Sequence, residues 1–337
     1  MSQDEHRRRT SFPRKTVLAV AILVCASFCA RAQTCLTTDD MDEATRTALV
    51  STAQHYYQMA AAGDVAGLRQ NAIASVAANF GGIEGAIKNN QKTLAGVQAN
   101  ARPPYELKAD GTAPLEHAEF LCGIFGASGQ TANSVVFTLN NLQPGNYAVV
   151  ALDAATSPDP YTVAFVLQQE GTTWKLGGYY VKPAQLNGHD GLWYAQKARD
   201  FKVKGQLHNA WLYQLEARDL LVYVPFMSTL ATDQLYDDFQ NLKPSDLPPA
   251  DLVAGAKTFL LTAMFPMAYN NALDLVVKYS SPDVSNATRA YQDNVAVMRA
   301  LVDKYPELRD GFDGVVARAT AASGKDYGTL LMMKEIK

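Results

Sequence analysis

The sequence has few cysteines and histidines. Of its 337 residues, four are cysteine and five are histidine. Cys25 and Cys29 lie in a leading apolar segment, which leaves Cys35 and Cys122 for the rest of the chain. No two histidines are spaced as His-x-x-x-His, so the pattern typical of zinc sites is missing. We expect no metal and no cofactor.

The motifs of nucleophilic catalysis and of phosphate binding are also missing. The Gly-Ala-Ser-Gly phrase at residues 126–129 does not have the Gly-x-Ser-x-Gly spacing of a nucleophile elbow. The glycines at residues 81–85 follow no predicted strand and do not end in the Gly-Lys-Ser or Gly-Lys-Thr step of a phosphate-binding loop. No catalytic residue is predicted, and this favours a protein that is not an enzyme.

The chain has no excess of basic side chains, with 30 Lys or Arg against 33 Asp or Glu. Residues 1–32 hold six of the basic and two of the acidic residues. Residues 33–337 therefore carry 24 basic and 31 acidic side chains, a formal charge of −7. Because phosphate neutralisation supplies most of the affinity for nucleic acids, we expect no nucleic-acid partner.

Only one apolar run is long, and it lies at the N-terminus. It extends from Val17 to Ala30, follows a basic stretch within residues 7–15, and is shorter than the roughly 20 residues that span a bilayer. Ala30-Arg31-Ala32 follows it, which is the order of a cleavable secretory signal. We predict cleavage between Ala32 and Gln33, export to the periplasm or medium, and no membrane association afterwards. A retained anchor is the alternative.

Two cysteines remain after this cleavage. An even number in an exported chain favours a disulfide, here between Cys35 and Cys122. The alternative is a loose Cys35 and a free thiol at Cys122, buried within the apolar run at residues 120–125.

The first half of the chain changes from helical to strand periodicity. Residues 33–43 are polar and predict a flexible lead, and the residues after it predict three helices. Alternating β-branched and aromatic residues then predict five strands, at His117–Cys122, Val135–Leu139, Tyr147–Leu152, Tyr161–Gln168 and Trp174–Val181. Helices followed by an antiparallel sheet indicate the α+β class.

The second half predicts two further units. A helical hairpin broken at Gly205 lies within residues 184–243, and the prolines at 244, 248 and 249 predict a domain boundary. Residues 250–337 predict a small α/β module. Its elements are a helix (Leu252–Met264), a strand (Leu273–Tyr279), a helix (Ala287–Tyr305) and a strand pair (Val315–Thr320 and Tyr327–Met333).

Two short segments within residues 44–183 resemble the nuclear-transport-factor-2-like (SnoaL-like) superfamily. Residues 56–68, YYQMAAAGDVAGL, end a first helix in a Gly-Asp step, and residues 170–181, EGTTWKLGGYYV, place a Trp-Lys pair after a hairpin. The resemblance implies a curved sheet wrapped around helices as a cone, with a pocket at its open end. Some members are isomerases or dehydratases, and many only bind ligands. Residues 101–146 are longer and more irregular than the family pattern.

Four residues are candidates for such a pocket: His55 and Tyr56 on the first helix, and Trp174 and Tyr179 on the last strand. Core packing is the alternative for each of them. Because consecutive strand residues point to opposite faces, at most one of Tyr179 and Tyr180 can face the pocket.

The helical hairpin is similar to one tetratricopeptide-type repeat, with its packing positions at Tyr194, Ala198, Phe201, Gly205, Ala210 and Ala217. A solenoid needs about three repeats, and no second copy is found. An exposed apolar patch around Trp193 and Trp211 would indicate a partner surface on this hairpin.

The sequence favours an exported, non-enzymatic protein that binds a small apolar ligand or a protein partner. One alternative is an isomerase- or dehydratase-type enzyme that uses a pocket in the cone. The other is an envelope scaffold that uses the helical hairpin.

Overall fold

The structure is a computed structural model, which describes residues 33–124, 129–156, 160–269 and 272–337, with the side chains of residues 268 and 269 left out. The predicted signal at residues 1–32 lies outside the described residues. The described chain is mixed α+β, as predicted, and its strands form three sheets.

The first half of the chain contains four helices and eight strands among the described residues. They are β1 (Gln33–Leu36), α1 (Glu43–Ala62), α2 (Val65–Gln70), α3 (Ala74–Ala78), α4 (Gly81–Leu94), β2 (Ala99–Ala101), β3 (Tyr105–Ala109), β4 (Leu115–Cys122), β5 (Val135–Leu142), β6 (Gly145–Ala154), β7 (Tyr161–Glu170) and β8 (Thr173–Pro183). The five predicted strands correspond to β4 through β8.

The second half continues with helices and strands that interleave. They are α5 (Gly191–Val203), α6 (Leu207–Leu221), β9 (Met227–Thr229), α7 (Leu230–Phe239), β10 (Ala250–Ala254), β11 (Lys257–Tyr269), β12 (Ala272–Ser280), α8 (Ala287–Lys304), α9 (Leu308–Gly311), β13 (Gly314–Thr320) and β14 (Asp326–Met332).

Helix α1 shows how local sequence sets the boundaries. The side chain of Asp42 accepts a hydrogen bond from the backbone N–H of Thr45, which caps the first turn. At the other end Gly63 has a φ of 76°, a left-handed conformation that glycine adopts without steric cost. One face of the helix, which carries Leu49, Ala53 and Tyr56, is buried.

The first sheet is antiparallel, in the order β1-β3-β6-β7-β8, and β2 also pairs with β6. Its inner face packs against α1 to α4 in one hydrophobic core. Its outer face packs against the second sheet, β4-β5-β9, in another core. The first sheet therefore lies between a helical layer and a smaller sheet.

The predicted disulfide is confirmed, because Cys35 and Cys122 are bonded. Cys35 lies on β1 and Cys122 on β4, so the bond joins the first sheet to the second. The expectation of a flexible lead at residues 33–43 was wrong for its first residues. Gln33–Leu36 pairs with β3 in antiparallel register, and the disulfide holds this strand in place.

Helices α5, α6, α7 and α8 share one hydrophobic core with the third sheet, β10-β11-β12-β13-β14. This core contains residues from both sides of the proline-rich link, for example Phe201 and Leu275. The link therefore connects parts of one core, in contrast to the predicted boundary. Strand β12 pairs with β13 in parallel, and α8 makes the crossover between them.

The predicted helix at Leu252–Met264 was wrong, because these residues form β10 and most of β11. Gly255, with a φ of 62°, makes the turn between the two strands. Leu252, Phe259 and Leu261 lie in the core at the alternating positions of a hairpin. Pairing of β11 with β12 overrides the helical preference of the Ala- and Leu-rich sequence.

None of the helices in the part of the chain that the structure describes is long and apolar enough to cross a membrane.

Candidate functional site

Three of the four predicted ligand-binding residues lie together on the inner face of the first sheet. Tyr56, Trp174 and Tyr179 are buried in the same core. The Tyr56 hydroxyl donates a 2.9 Å hydrogen bond to the carbonyl oxygen of Trp174. The rings of Tyr56 and Tyr179 lie 6.1 Å and 5.5 Å from the ring of Phe165. The fourth residue, His55, is exposed on α1.

Within this inner core the Tyr179 hydroxyl is buried and has no hydrogen-bond partner among the described residues. Burial, reinforced by the nearby Tyr57, raises the pKa of Tyr179. The group therefore stays neutral and can donate one hydrogen bond. The other inner-face side chains pack as a core, which is the alternative interpretation stated above for these positions.

Tyr180 points to the outer face of the same sheet, as the alternation of strand side chains requires. Its ring lies 6.0 Å from that of Phe226, which precedes β9. Tyr180 pairs across the strands with Ala164, and Ala164 pairs with Ala151, so two small side chains follow it along the sheet.

Tyr180, Ala164 and Ala151 thus form a row across three strands, and Arg102 lies beyond Ala151 at the end of it. The backbone N–H of Arg102 donates to the carbonyl oxygen of Ala151. Its Nε and Nη2 donate to the Asp153 carboxylate, with the shortest distance 2.6 Å. The guanidinium lies 5.6 Å from the ring centre of Tyr223, over its face. No described residue accepts a hydrogen bond from Nη1, so this nitrogen remains available as a donor.

Tyr223 and Tyr105 surround the guanidinium of Arg102. Tyr223 is only 9% exposed, and this burial raises its pKa. The neighbouring Tyr105 raises the pKa of Tyr223 further, whereas Arg102 acts to lower it. Burial likewise raises the pKa of Tyr105, and Arg102 opposes this effect. Neither hydroxyl makes a hydrogen bond within residues 33–124, 129–156, 160–269 and 272–337. Both are therefore neutral donors that solvent reaches, since neither oxygen is among the buried atoms that lack a partner.

The next cross-strand pair on the outer face connects the first sheet to helix α6. Thr162 pairs with Lys182 across β7 and β8, and Lys182 Nζ contacts the Asp219 carboxylate at 2.6 Å. Glu216 lies one turn earlier on α6 and is partly buried. Burial and the nearby Asp219 raise the pKa of Glu216 to about 7, although Lys182 acts to lower it.

These residues form a continuous group where the outer face of the first sheet meets the C-terminal end of α6 and the residues after it. We call this group the junction site; it comprises Arg102, Tyr105, Asp153, Tyr180, Lys182, Glu216, Asp219 and Tyr223. It presents unpaired hydrogen-bond donors, aromatic faces and one carboxyl group that is partly protonated near neutral pH. Titratable groups with perturbed pKa values cluster at functional sites, which makes the junction site the candidate.

The tryptophans of the helical hairpin are not fully buried, and on the same hairpin Leu192 and Leu207 are 59% and 40% exposed. Trp193 and Trp211 are both half-buried and pack against the core of the third sheet. One face of the Trp193 indole stacks on the His189 ring at 3.7 Å, and Lys197 Nζ lies 5.3 Å from the indole centre. A partner surface on this hairpin stays a prediction.

No group of three or more His, Cys, Asp or Glu side chains that could hold a metal ion occurs among the described residues. Residues 126–128 of the Gly-Ala-Ser-Gly phrase lie outside them.

Comparison of the chain with protein-family models, with curated proteins and with solved structures gives no match.

Sequence reasoning missed most of the junction site. The alternation of Tyr179 and Tyr180 was the one signal, because it predicts that one of the two tyrosines lies on the outer face. Glu216 and Tyr223 come from the helical hairpin and the residues after it, and they meet Arg102 and Lys182 only through tertiary packing. No local motif marks them.

Proposed function

We propose that the protein is exported and binds a small, largely apolar ligand at the junction site. The first unit, residues 44–183, is proposed to be a nuclear-transport-factor-2-like cone followed by the helical hairpin and the C-terminal module. The proposal moves the ligand from the inner face of the cone, where Tyr56 and Trp174 are packed, to the outer face. No catalytic role is part of it.

The main observation behind the proposal is the raised pKa of the Glu216 carboxyl group. The pKa is raised to about 7, and the carboxyl group makes no hydrogen bond to any residue in the described part of the chain. Solvent reaches its oxygens, since neither is among the buried side-chain atoms that lack a partner. A ligand that covers the junction site would replace this water and bond to the carboxyl group.

The charges of the site favour a neutral ligand. Asp153 neutralises Arg102, and Asp219 neutralises Lys182. Four groups of the site make no hydrogen bond to any other described residue: the hydroxyls of Tyr105, Tyr180 and Tyr223 and the carboxyl of Glu216, which are hydrogen-bond donors in their neutral forms. The ligand is therefore proposed to carry oxygen acceptors, such as carbonyl or ether groups, on an apolar frame that packs on the tyrosine rings.

Export is supported by the disulfide between Cys35 and Cys122, since structural disulfides persist in oxidising compartments. It agrees with the signal-like order of residues 1–32.

Saturation-transfer NMR with a library of small neutral compounds tests the site. We expect hits whose signal falls at least tenfold in Tyr223→Phe and Glu216→Leu, because each variant is close in size to the wild-type side chain and loses a hydrogen-bonding group. Tyr291→Phe is the matched control, since Tyr291 is exposed on α8. Hits that bind equally to the wild type and both junction variants would contradict the proposed site.

A second candidate function, an isomerase- or dehydratase-type enzyme, is favoured by the same Glu216. A carboxyl with a pKa of about 7 can accept and return a proton near neutral pH. An enzyme would convert the bound compound and would lose turnover more than binding in Glu216→Gln. A binding protein would return the compound unchanged. The version that used His55 is not supported, because His55 is exposed.

A further inference from the structure

His208, at the start of α6, lies between two carboxylates that come from different parts of the chain. Its Nδ1 is 2.8 Å from the Glu307 carboxylate, and its Nε2 is 2.9 Å from the Asp246 carboxylate. The His208 side chain is 13% exposed, and its ring centre lies 4.0 Å from that of Tyr305. We call His208, Asp246, Tyr305 and Glu307 the clamp.

The clamp joins three segments of the second half of the chain. Asp246 belongs to the proline-rich link between α7 and β10, whereas Tyr305 and Glu307 belong to the connection between α8 and α9. The Tyr305 hydroxyl donates a 2.8 Å hydrogen bond to the Asp246 carboxylate. Asn209, next to His208 on α6, donates to the backbone carbonyl of Glu307. Helix α6, the link and the α8–α9 connection therefore meet at the His208 ring.

Both bonds of the ring can form at once only if the ring is charged. A neutral imidazole has one N–H, and its other nitrogen is an acceptor, whereas an ionised carboxylate has acceptors only. Burial acts to raise the pKa of Asp246, but its bonds from His208 and Tyr305 outweigh burial and lower this pKa. Asp246 therefore has no proton to donate to Nε2 near neutral pH.

Two further charged side chains border the clamp. Lys304 Nζ lies 4.0 Å from the Asp246 carboxylate, and the Asp310 carboxylate accepts a 2.6 Å hydrogen bond from Gln206. Neither Lys304 nor Asp310 bonds to the His208 ring within the part of the chain that the structure describes. Burial raises the pKa of Tyr305, and Asp246 and Glu307 raise it further, so this hydroxyl stays neutral. The proton on the ring decides whether both bonds of the ring can form.

We propose that the clamp is a pH-sensitive device, closed while the His208 ring carries N–H groups at both nitrogens and opened when the ring loses one of them. The neutral ring donates to one carboxylate and turns a lone pair toward the other, which repels it. Loss of one hydrogen bond to a charged group typically changes an equilibrium by about tenfold or more. Imidazole is the side chain whose charge ordinarily changes nearest neutral pH. The clamp contains no residue of the junction site, so the proposal does not depend on the proposed function.

Hydrogen exchange followed by NMR on the processed protein, residues 33–337, tests the clamp. Exchange rates are corrected for their intrinsic dependence on pH, and nitrogen-15 NMR of the His208 ring reports its protonation. Two amides report the two carboxylate segments: Leu247 donates to the Pro244 carbonyl in the link, and Asp310 donates to the Glu307 carbonyl. We expect at least one of these amides to lose protection about tenfold over the pH range in which the ring loses its proton.

Glu307→Gln makes the test specific for the clamp. The glutamine amide has nearly the same shape, and it can accept from the charged ring or donate to the neutral ring. The clamp should therefore stay closed in both states, and the protection of Leu247 and Asp310 should no longer follow the ring. Glu43→Gln, on the exposed first turn of α1, is the matched control and should behave as the wild type.

Three results would overturn the proposal. The first is a His208 ring with a single N–H at every pH at which the protein is folded, and the second is a ring with both N–H groups throughout that range. The third is a loss of protection that Glu307→Gln leaves unchanged. Circular dichroism confirms that each variant is folded. If Glu307→Gln does not fold, the wild type still decides, because protection must fall over the same pH range as the ring titration.

Discussion

The hydroxyl of Tyr56 donates a hydrogen bond to the carbonyl oxygen of Trp174, 118 residues further along the chain. The bond joins helix α1 to strand β8 at the centre of the inner core. Both residues were candidates for a ligand pocket, and here each is a partner of the other. The polar end of Tyr56 is thereby satisfied inside an apolar core, and the helical layer is fixed to the sheet.

Tyr56→Phe should therefore destabilise the protein by about 1 to 2 kcal/mol, because it leaves a buried carbonyl oxygen without its donor. Urea unfolding followed by circular dichroism measures the change. Tyr291→Phe, on the exposed side of α8, should change stability by less than about 0.5 kcal/mol. Equal effects of the two substitutions would show that the Tyr56 bond adds nothing.

Removal of the disulfide should have a larger effect. The bond closes a loop between residues 87 positions apart and joins β1 to β4. In the chain-entropy model a loop of this length contributes about 4 to 5 kcal/mol. The double variant Cys35→Ser with Cys122→Ser should lose on the order of that free energy of unfolding in urea. Dithiothreitol should destabilise the wild type but leave the double variant unaffected, and a wild type insensitive to the reductant would contradict the prediction.

The ring of His208 joins the start of α6 to two segments of the C-terminal half. Its Nδ1 lies 2.8 Å from the Glu307 carboxylate, and its Nε2 lies 2.9 Å from that of Asp246. Tyr305 donates a 2.8 Å hydrogen bond to Asp246. Burial acts to raise the pKa of Asp246, but the bonds from His208 and Tyr305 outweigh it and hold this pKa below its ordinary value.

His208→Ala should cost about 1 to 3 kcal/mol, since it removes one hydrogen-bond partner from each of two carboxylates. A carboxyl with a lowered pKa stabilises the fold above its ordinary pKa of 3.8, and this contribution is lost as the pH falls through the lower folded value. Urea unfolding at pH 7 measures the cost of His208→Ala, with His55→Ala as the exposed control. A His208 variant as stable as the His55 variant would refute the role of the network.

Most of the first half could be predicted from the sequence because its signals are local. Strands β4 to β8 alternate clearly, and α1 begins at an Asp cap and ends at Gly63. The separation of these strands into two sheets could not be predicted, because β4 pairs only with β5, and β5 pairs with β9, a three-residue strand contributed from beyond the helical hairpin. The burial of Tyr56 and Trp174 also depends on packing that no local pattern specifies.

The errors lie where tertiary pairing outweighs composition. Residues 252–264 are rich in Ala and Leu, which favour helix, yet Gly255 turns the chain and β12 supplies a partner strand. Residues 33–36 make up a short segment with two polar side chains. The segment forms a strand because it pairs with β3 and because the disulfide links Cys35 to β4. Glu216 was not a candidate, since its raised pKa results from burial that only the folded chain produces.

Glu216 should make stability depend on pH. Its pKa in the folded protein is about 7, above the ordinary 4.5, so folding favours the protonated form. This contribution is complete below pH 4.5 and is lost as the pH rises to 7, in total on the order of 3 kcal/mol. Glu216→Gln mimics the protonated form and should keep it.

Urea unfolding at pH 5 and at pH 8 measures this dependence. The wild type should lose more stability between the two values than Glu216→Gln does, by up to about 3 kcal/mol. Glu43→Gln, at the start of α1, serves as the control and should follow the wild type. A wild type and a Glu216→Gln variant with the same pH dependence would disprove the raised pKa.

The most direct test of the proposed ligand site is native mass spectrometry of the processed protein, residues 33–337, purified from an oxidising compartment without refolding. The account predicts a stoichiometric small-molecule adduct that denaturation releases, and that is diminished in protein carrying both Tyr223→Phe and Glu216→Leu. An unliganded mass in the wild type, or an adduct of equal abundance in the double variant, would contradict it.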